Sequence, residues 1–224
     1  QDIEIPEQNY LERESYNGKI YGTLVLRKLV LIPQRSGTLT VEPMELECLV
    51  RQRVRRGSGG FFDDFFDSFQ TVSKTLGTDP IEIKVKPLPP GAPAYFRGLV
   101  GNYSFDSRLD PVSLSVNDAA TLKITVKGKG NLRLIDPPVV NLPPDFERFD
   151  PKVSVDVQNT EAGPSGSGSF EYLLLPRSAG NFRIPQVEIA YFNPATAKYE
   201  TWKSPAYDIQ VSAAEEGETG TVVT

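Results

Sequence analysis

The stretch LVLIPQRSGTLTV at residues 29–41 returns as YLLLPRSAGNFRI at residues 172–184. Pro33 and Pro176 are 176 − 33 = 143 positions apart, and the glycine four residues after each proline repeats at the same interval. In both copies an apolar run ends at proline, turns through basic and small residues to glycine, and resumes with alternating polar and apolar residues. This pattern predicts a strand, a corner and a second strand, built twice from one plan.

The residues around the two copies predict the domain organisation. Proline occupies four of the eight positions 86–93, a composition that favours an extended spacer. We therefore predict a first domain at 1–86, a linker at 87–93, a second domain at 94–213 and an acidic linker or tail at 214–224. Only residues 1–32 precede the first corner proline, whereas residues 94–175 precede the second. We therefore expect the first domain to be incomplete.

Short strands separated by turn residues predict the fold class. Runs of alternating apolar and polar residues are bounded by Gly, Pro, Asn and Asp throughout residues 94–213, without a sustained helical period. This pattern is typical of a β-sandwich. We predict an all-β protein of tandem immunoglobulin-like β-sandwich domains.

One strand of the first domain predicts a hairpin with an insertion. At 44–50 the apolar residues Met44, Leu46, Cys48 and Val50 alternate with Glu45, Glu47 and Leu49, and a period of two resumes at 81–85. We predict that these two strands pair and that residues 51–78 are inserted at the tip of their hairpin. Cys48 shares its strand face with Leu46 and Val50, so we expect it to be a small core residue.

The composition excludes several classes of function. The chain has no histidine and one cysteine, which removes the usual general base, the Ser-His and Cys-His nucleophile pairs and any intrachain disulfide. A net charge of −5 argues against nucleic acid as a partner. We expect no enzymatic activity, no catalytic residue, no metal and no cofactor. Chemistry by two converging carboxylates stays open as an alternative.

The insertion holds the candidate binding residues. Its phenylalanines and aspartates follow a Gly-Ser-Gly-Gly hinge, and a loop of aromatic and acidic residues is suited to dock on a protein partner. The alternative is that the rings fold back and cap the sandwich. The segment also matches a DDxxD magnesium-diphosphate pattern, but it lies between strands rather than on the helix that this chemistry needs. The predicted partner-binding residues are Phe61, Phe62, Asp63, Asp64, Phe65, Phe66, Asp67 and Phe69.

Aromatic residues near the last strands give a further alternative. Trp202 and Tyr199 form a stacking platform for a sugar in one interpretation and cross-strand aromatic packing in the other. No apolar run approaches the roughly 20 residues that span a bilayer. Because the chain starts at Gln1 without a signal peptide, we expect it to be a piece of a longer protein.

Several segments together carry a family resemblance. The chain resembles the BatD oxygen-tolerance (aerotolerance operon) family of bacterial envelope proteins. The segments that carry this resemblance are TVSK at 71–74, VKPLP at 85–89, FRGLVG at 96–101, GKGNL at 128–132, LPPDFE at 142–147 and SFEYLLLPR at 169–177.

The resemblance implies a setting for the protein. It implies a signal peptide, several extracytoplasmic immunoglobulin-like domains and a C-terminal anchor in the bacterial inner membrane, so that the membrane is contacted only through parts outside these 224 residues. It also implies neighbours in the operon, among them von Willebrand A-domain membrane proteins, and no catalytic residues. We therefore predict a periplasmic protein–protein interaction module. A chaperone-like sandwich that captures an extended segment, or a carbohydrate-binding sandwich, is the alternative.

Overall fold

A computed structural model describes residue 3, residues 10–53 and residues 69–213. Within these ranges the chain forms sixteen β-strands, a short 3-10 helix at Leu132–Leu134 and no α-helix. The predicted all-β fold class is thus confirmed. The chain divides into two compact units, one made of Gln1–Ile32 with Pro89–Thr224 and the other of Pro33–Leu88. The domain boundaries predicted from the sequence stay predictions.

The first two strands form a tight hairpin. β1 (Glu12–Tyr16) pairs antiparallel with β2 (Lys19–Thr23) around Asn17 and Gly18. These two residues have φ angles of 49° and 75°, as a type I′ two-residue turn requires. Because Asn and Gly adopt positive φ at low cost, this pair sets the register of the hairpin.

In the described residues of the unit Pro33–Leu88, four strands form two small sheets. They are β3 (Gly37–Val41), β4 (Glu45–Arg53), β5 (Phe69–Gly77) and β6 (Ile81–Val85). β3 pairs antiparallel with β6, and β4 pairs antiparallel with β5. The predicted pairing of residues 44–50 with 81–85 is therefore wrong. β5 takes that place because Thr71, Val72 and Thr75 favour an extended chain.

The larger unit holds the remaining strands. They are β7 (Phe96–Asp110), β8 (Ser113–Ser115), β9 (Ala120–Gly130), β10 (Phe146–Arg148), β11 (Lys152–Thr160), β12 (Gly163–Pro176), β13 (Gly180–Ile184), β14 (Glu188–Asn193), β15 (Lys198–Lys203) and β16 (Tyr207–Ser212). One sheet has seven strands in the order β10-β12-β9-β7-β14-β15, with β11 also paired to β12. The other has three strands in the order β13-β16-β8.

The seven-stranded and the three-stranded sheet enclose one hydrophobic core. On β9 the side chains alternate strictly, with Leu122, Ile124 and Val126 fully buried and Lys123 and Lys127 exposed. Ile184, Ile209 and Val211 of the three-stranded sheet belong to the same buried cluster. This unit is therefore the predicted β-sandwich of immunoglobulin-like type.

The second copy of the repeated stretch forms the predicted corner. β12 ends at Pro176 in the seven-stranded sheet, and β13 begins at Gly180 in the three-stranded sheet. Asp145 fixes the turn between them. Its backbone carbonyl accepts the Arg177 N–H, and its carboxylate accepts the Ser178 hydroxyl, both at 2.8 Å. The chain passes from one layer of the sandwich to the other at this point.

The first copy reproduces only the second half of that plan. β3 begins at Gly37, which has a φ of 112° that favours glycine. Ahead of the corner, residues 24–33 carry an isolated bridge at Leu29 and no strand. The sequence-based prediction of a strand directly before this corner is therefore wrong.

The strands after each corner are repeated as a group. β13 pairs with β16 and β14 pairs with β15, as β3 pairs with β6 and β4 with β5. β4 begins at Glu45 and β14 at Glu188, which are again 188 − 45 = 143 positions apart. The two groups differ most in the number of residues between the second and third strands, which is 194–197 in the second group and 54–68, outside the described residues, in the first. The repeated element is thus a group of four strands.

Candidate functional site

The hairpin of β4 and β5 presents the predicted binding segment. Its strands stay in register up to the pair Arg53 and Phe69, so residues 54–68 leave and rejoin the unit at paired positions. Across the hairpin the Ser73 hydroxyl donates to the Glu47 carboxylate. The backbone of this unit therefore brings both ends of the 54–68 segment to one place.

The predicted contact residues stand almost entirely outside the described part of the chain. Phe69 is the first residue of β5 and pairs with Arg53 through the backbone. The other seven residues lie outside the described residues, and their role stays a prediction. They are Phe61, Phe62, Asp63, Asp64, Phe65, Phe66 and Asp67.

Cys48 lies on β4 beside this segment. It is a free cysteine of intermediate exposure, while Leu46 on the same face is 41% exposed. The face that the sequence assigns to a core is therefore only half covered. The residue at the matching position of β14 is Tyr191, which is buried.

The matching hairpin of the second group is closed by a hydrogen-bond network around Glu200. The Tyr191 hydroxyl donates to one carboxylate oxygen at 2.5 Å. The Asn193 amide and the Thr196 hydroxyl donate to the other oxygen at 2.9 and 3.1 Å. The hydrogen bond from Tyr191 holds the pKa of Glu200 below its usual range. Burial, aided by the adjacent carboxylate, raises the pKa of Tyr191 to about 12.

Acidification is expected to weaken this hairpin. The pKa of Glu200 is lower in the folded state than in the unfolded state, so the ionised carboxylate stabilises the fold. Its contribution to the free energy of unfolding is complete above the unfolded-state pKa and is lost as the pH falls through the folded-state pKa. Thermal melts between about pH 7 and pH 3 should show the native chain approaching Glu200→Gln in stability as the pH falls. A stability difference that stayed constant over this range would contradict the assignment.

The aromatic residues of β15 pack against neighbouring strands. Trp202 stacks on Phe105 of β7, with ring centroids 5.4 Å apart and planes at 26°. Tyr199 meets Phe96 and Phe192 edge to face at 5.0 and 5.3 Å. The Tyr199 hydroxyl donates to the Pro89 carbonyl at 2.8 Å. These contacts are cross-strand aromatic packing, the second of the two interpretations that the sequence allows.

The glycine-rich end of β9 pairs closely with β7. Tyr103 lies over the backbone at Gly128 and Gly130, where an added Cβ would lie 2.8 Å from a Tyr103 ring carbon and 2.2 Å from the Tyr103 hydroxyl oxygen, respectively. The Tyr103 hydroxyl donates to the Val100 carbonyl at 2.8 Å. Burial raises the pKa of this phenol far above its usual value. Any side chain larger than hydrogen at the two glycines would displace the ring or the strand.

The side chain of Asn131 also binds the backbone of β7. Its side-chain oxygen accepts the Val100 N–H at 2.8 Å, and its amide donates to the Gly98 carbonyl at 3.0 Å. The motif GKGNL at 128–132 is therefore explained by packing and backbone hydrogen bonds. Sequence reasoning used this motif for the resemblance without finding its structural role, because the partners lie about 30 residues earlier on another strand.

A cavity of about 150 Å³ opens beside β7 and β14. Its charged lining consists of Arg97, Asp136 and Glu188, set among apolar side chains such as Leu99 and Ile189. Glu188 also accepts a hydrogen bond from the Lys203 ammonium at 2.7 Å, which raises the pKa of that lysine. Asp136 and Glu188 are the residues on which the carboxylate alternative depends. The sequence did not indicate this cavity because three separate segments line it.

The fold and this geometry define the class of protein as an all-β, immunoglobulin-like sandwich. Residues 107–211 match the family model described as the BatD DUF11 like domain. This match confirms the predicted resemblance to the BatD family over residues 107–211. No curated protein matches the sequence. None of the residues described by the structure belongs to a helix long and apolar enough to cross a bilayer.

Proposed function

We propose that the chain is a non-enzymatic, extracytoplasmic protein–protein interaction module of a membrane-anchored, BatD-like oxygen- and stress-tolerance protein. The BatD domain at 107–211 supports the family setting. The observation that carries the proposal is the contrast between the two repeated hairpins. One is closed by residues 194–197, and the other spans 54–68 with the strands on both sides still in register.

The composition of the longer segment favours a protein partner. Residues 61–69 contain five phenylalanines and three aspartates. Buried aromatic side chains supply much of the binding free energy at protein interfaces, and surrounding charges set orientation and specificity. The net charge of −5 opposes a nucleic acid as the partner.

The setting implied by the family suggests which proteins bind. We place the module on the periplasmic side of the inner membrane, where other envelope proteins are its partners. The foremost candidates are the von Willebrand A-domain membrane proteins of the same operon. A chaperone-like capture of an extended segment is the second candidate, and it is favoured by the two-stranded sheets of the Pro33–Leu88 unit, whose outer edges have no strand partner among the described residues.

Loss of four aromatic side chains from the 54–68 segment is expected to weaken partner capture. Replacing Phe61, Phe62, Phe65 and Phe66 by serine keeps the length and the aspartates but removes the apolar anchors. Retention of von Willebrand A-domain proteins from a solubilised membrane fraction should fall at least about tenfold, as the loss of interface anchors predicts. Quantitative immunoblotting of the retained fraction measures this loss.

A surface variant on the sandwich controls for nonspecific effects. Lys127→Ser with Lys129→Ser changes the exposed face of β9 and should retain the partners at the native level. Circular dichroism must show the same strand signal and melting temperature for both variants. Equal capture by the phenylalanine variant and the native chain would refute the proposed binding role.

A further inference from the structure

The cavity beside β7 and β14 has an apolar floor and a charged rim. Leu99 and Ile189 on its floor are buried, whereas Arg97 and Asp136 on its rim are exposed. Its volume of about 150 Å³ is similar to that of an apolar cavity that accepts benzene. An apolar side chain the size of leucine or phenylalanine therefore fits this cavity.

Two charges on the rim of this cavity are available to a partner. Glu188 is already paired with the Lys203 ammonium at 2.7 Å. Among the residues that the structure describes, Arg97 and Asp136 form no ion pair with each other and have no other side-chain hydrogen-bond partner. The rim thus presents one cation and one anion to whatever enters the cavity. An occupant with an acid and a base beside its apolar group would pair with both.

The sandwich holds residues 136–139, which form one wall of the cavity, in place. Pro137 and Pro138 have fixed φ angles, and the Tyr172 hydroxyl donates to the Pro138 carbonyl at 2.5 Å. Directly after the wall, the Val140 carbonyl accepts a hydrogen bond from the Arg148 guanidinium at 3.2 Å. Because this wall is already ordered, a partner that binds to it loses less free energy to ordering.

Apolar surface continues on the other side of this wall. Pro137, Pro138 and Val139 also line a second cavity of about 560 Å³, whose lining includes Phe149 and Leu173. Val139 is 57% exposed, and Phe149 and Leu173 are 38% and 41% exposed. Exposed apolar patches with a polar rim mark sites of protein contact. A small molecule in the first cavity would leave this surface in water, whereas a polypeptide segment can cover both sides of the wall.

We propose that the cavity at Arg97 and Asp136 binds a partner protein through one exposed apolar side chain of leucine or phenylalanine size, flanked by an acidic residue opposite Arg97 and a basic residue opposite Asp136. The buried floor supplies the apolar contact, and the partner's backbone covers the wall at 136–139. The two rim charges set the direction in which the partner segment lies. The inference rests on the proposed function as a protein-binding module. It does not use the 54–68 segment, so each contact can fail without the other.

Two capped tripeptides test this site directly. Acetyl-Lys-Leu-Glu-amide and acetyl-Glu-Leu-Lys-amide present the same apolar anchor with its charges in opposite orders. Titrated into the complete, isotope-labelled chain, one of them should shift the amide resonances of Arg97, Val139 and Ile189 saturably, with a Kd on the order of 1 mM. Serine in place of leucine in that peptide should remove the shifts. No saturable shift with either peptide up to about 10 mM, or saturable shifts only at residues that do not line the cavity, would overturn the proposal.

Matched variants locate the contact. Val139→Asp places a charge on the wall and should raise the peptide Kd at least about tenfold. Val112→Asp makes the same change at a valine that is 51% exposed and lines neither cavity, so it should leave the Kd within about twofold. Exchanging the rim charges, Arg97→Glu with Asp136→Lys, should reverse the preference between the two peptides. Equal effects of the two aspartate variants, or an unchanged preference after the exchange, would contradict the assigned occupant.

The phenylalanine variant separates this site from the 54–68 segment. With Phe61, Phe62, Phe65 and Phe66 replaced by serine, the chain should bind the tripeptide with the native Kd and lose affinity for the von Willebrand A-domain protein. Peptide binding without that loss of affinity would refute the role of the 54–68 segment alone. The loss of affinity without peptide binding by the native chain would refute the cavity site alone.

Discussion

Replacing Phe170 by alanine is expected to lower the free energy of unfolding of the sandwich by about 3–5 kcal/mol. Phe170 lies on β12 in the seven-stranded sheet and is fully buried in the cluster shared by both sheets. Because the surrounding strands are hydrogen-bonded on both sides, they cannot close the cavity that the lost ring leaves. Urea denaturation followed by near-ultraviolet circular dichroism measures the loss.

Leu173→Ala is the matched control for this substitution. Leu173 lies on the same strand but faces outward, where it is 41% exposed. Its removal leaves no internal cavity, so we expect a loss below about 1 kcal/mol. Equal losses for the two variants would show that the layers of the sandwich are assigned incorrectly.

Replacing Gly128 by alanine is expected to lower the stability by about 3 kcal/mol. The added Cβ would lie 2.1 Å from the Asn102 carbonyl oxygen and 2.8 Å from the Tyr103 ring. The carbonyl belongs to the paired backbone of β7 and β9 and cannot rotate away, so the strands must separate. The same denaturation experiment gives the value.

Gly168→Ala provides the comparison within the same sheet. Its Cβ would meet a Val126 methyl group at 3.2 Å, a contact that a small side-chain movement relieves. We expect a loss below about 1 kcal/mol. If alanine were tolerated at position 128 as well as at position 168, the close approach of β7 to β9 at Gly128 would be assigned incorrectly.

Local patterns predicted much of the sandwich. The alternation of Leu122, Ile124 and Val126 with polar residues marks β9, and the structure places these side chains in the core. The corner from Pro176 to Gly180 is also local, because proline ends one strand and glycine begins the next. Such features depend on neighbours in the chain, which a sequence shows directly.

Partners between distant segments could not be predicted in this way. The pairing of β4 with β5 was missed because 54–68 separates them and β6 shows a stronger alternation. Asn131 bonds to Val100 and Gly98 on another strand, and no local pattern marks those bonds. The charged cavity at Arg97, Asp136 and Glu188 needs the first residues of β7 and β14 and the segment after the 3-10 helix to converge. Each of these features depends on the assembled sheets.

The candidate binding surfaces divide in the same manner. The phenylalanine and aspartate segment is visible in the sequence as the largest departure from the repeat. That β4 and β6 have fewer strand partners within the described ranges than β14 and β16 emerges only when the pairing of the two groups is compared. Composition thus indicates a surface that one segment forms. A sheet edge can be recognised only when the strand pairing is known.

The affinity of the complete chain for a purified von Willebrand A-domain protein of the same operon is the decisive quantity for the binding role. Isothermal titration calorimetry should give saturable binding by the native chain. Serine at Phe61, Phe62, Phe65 and Phe66 should raise the Kd at least about tenfold while the melting temperature stays unchanged. An unchanged Kd for this variant, or no binding by the native chain at concentrations up to about 1 mM, would contradict a partner-binding role for the 54–68 segment.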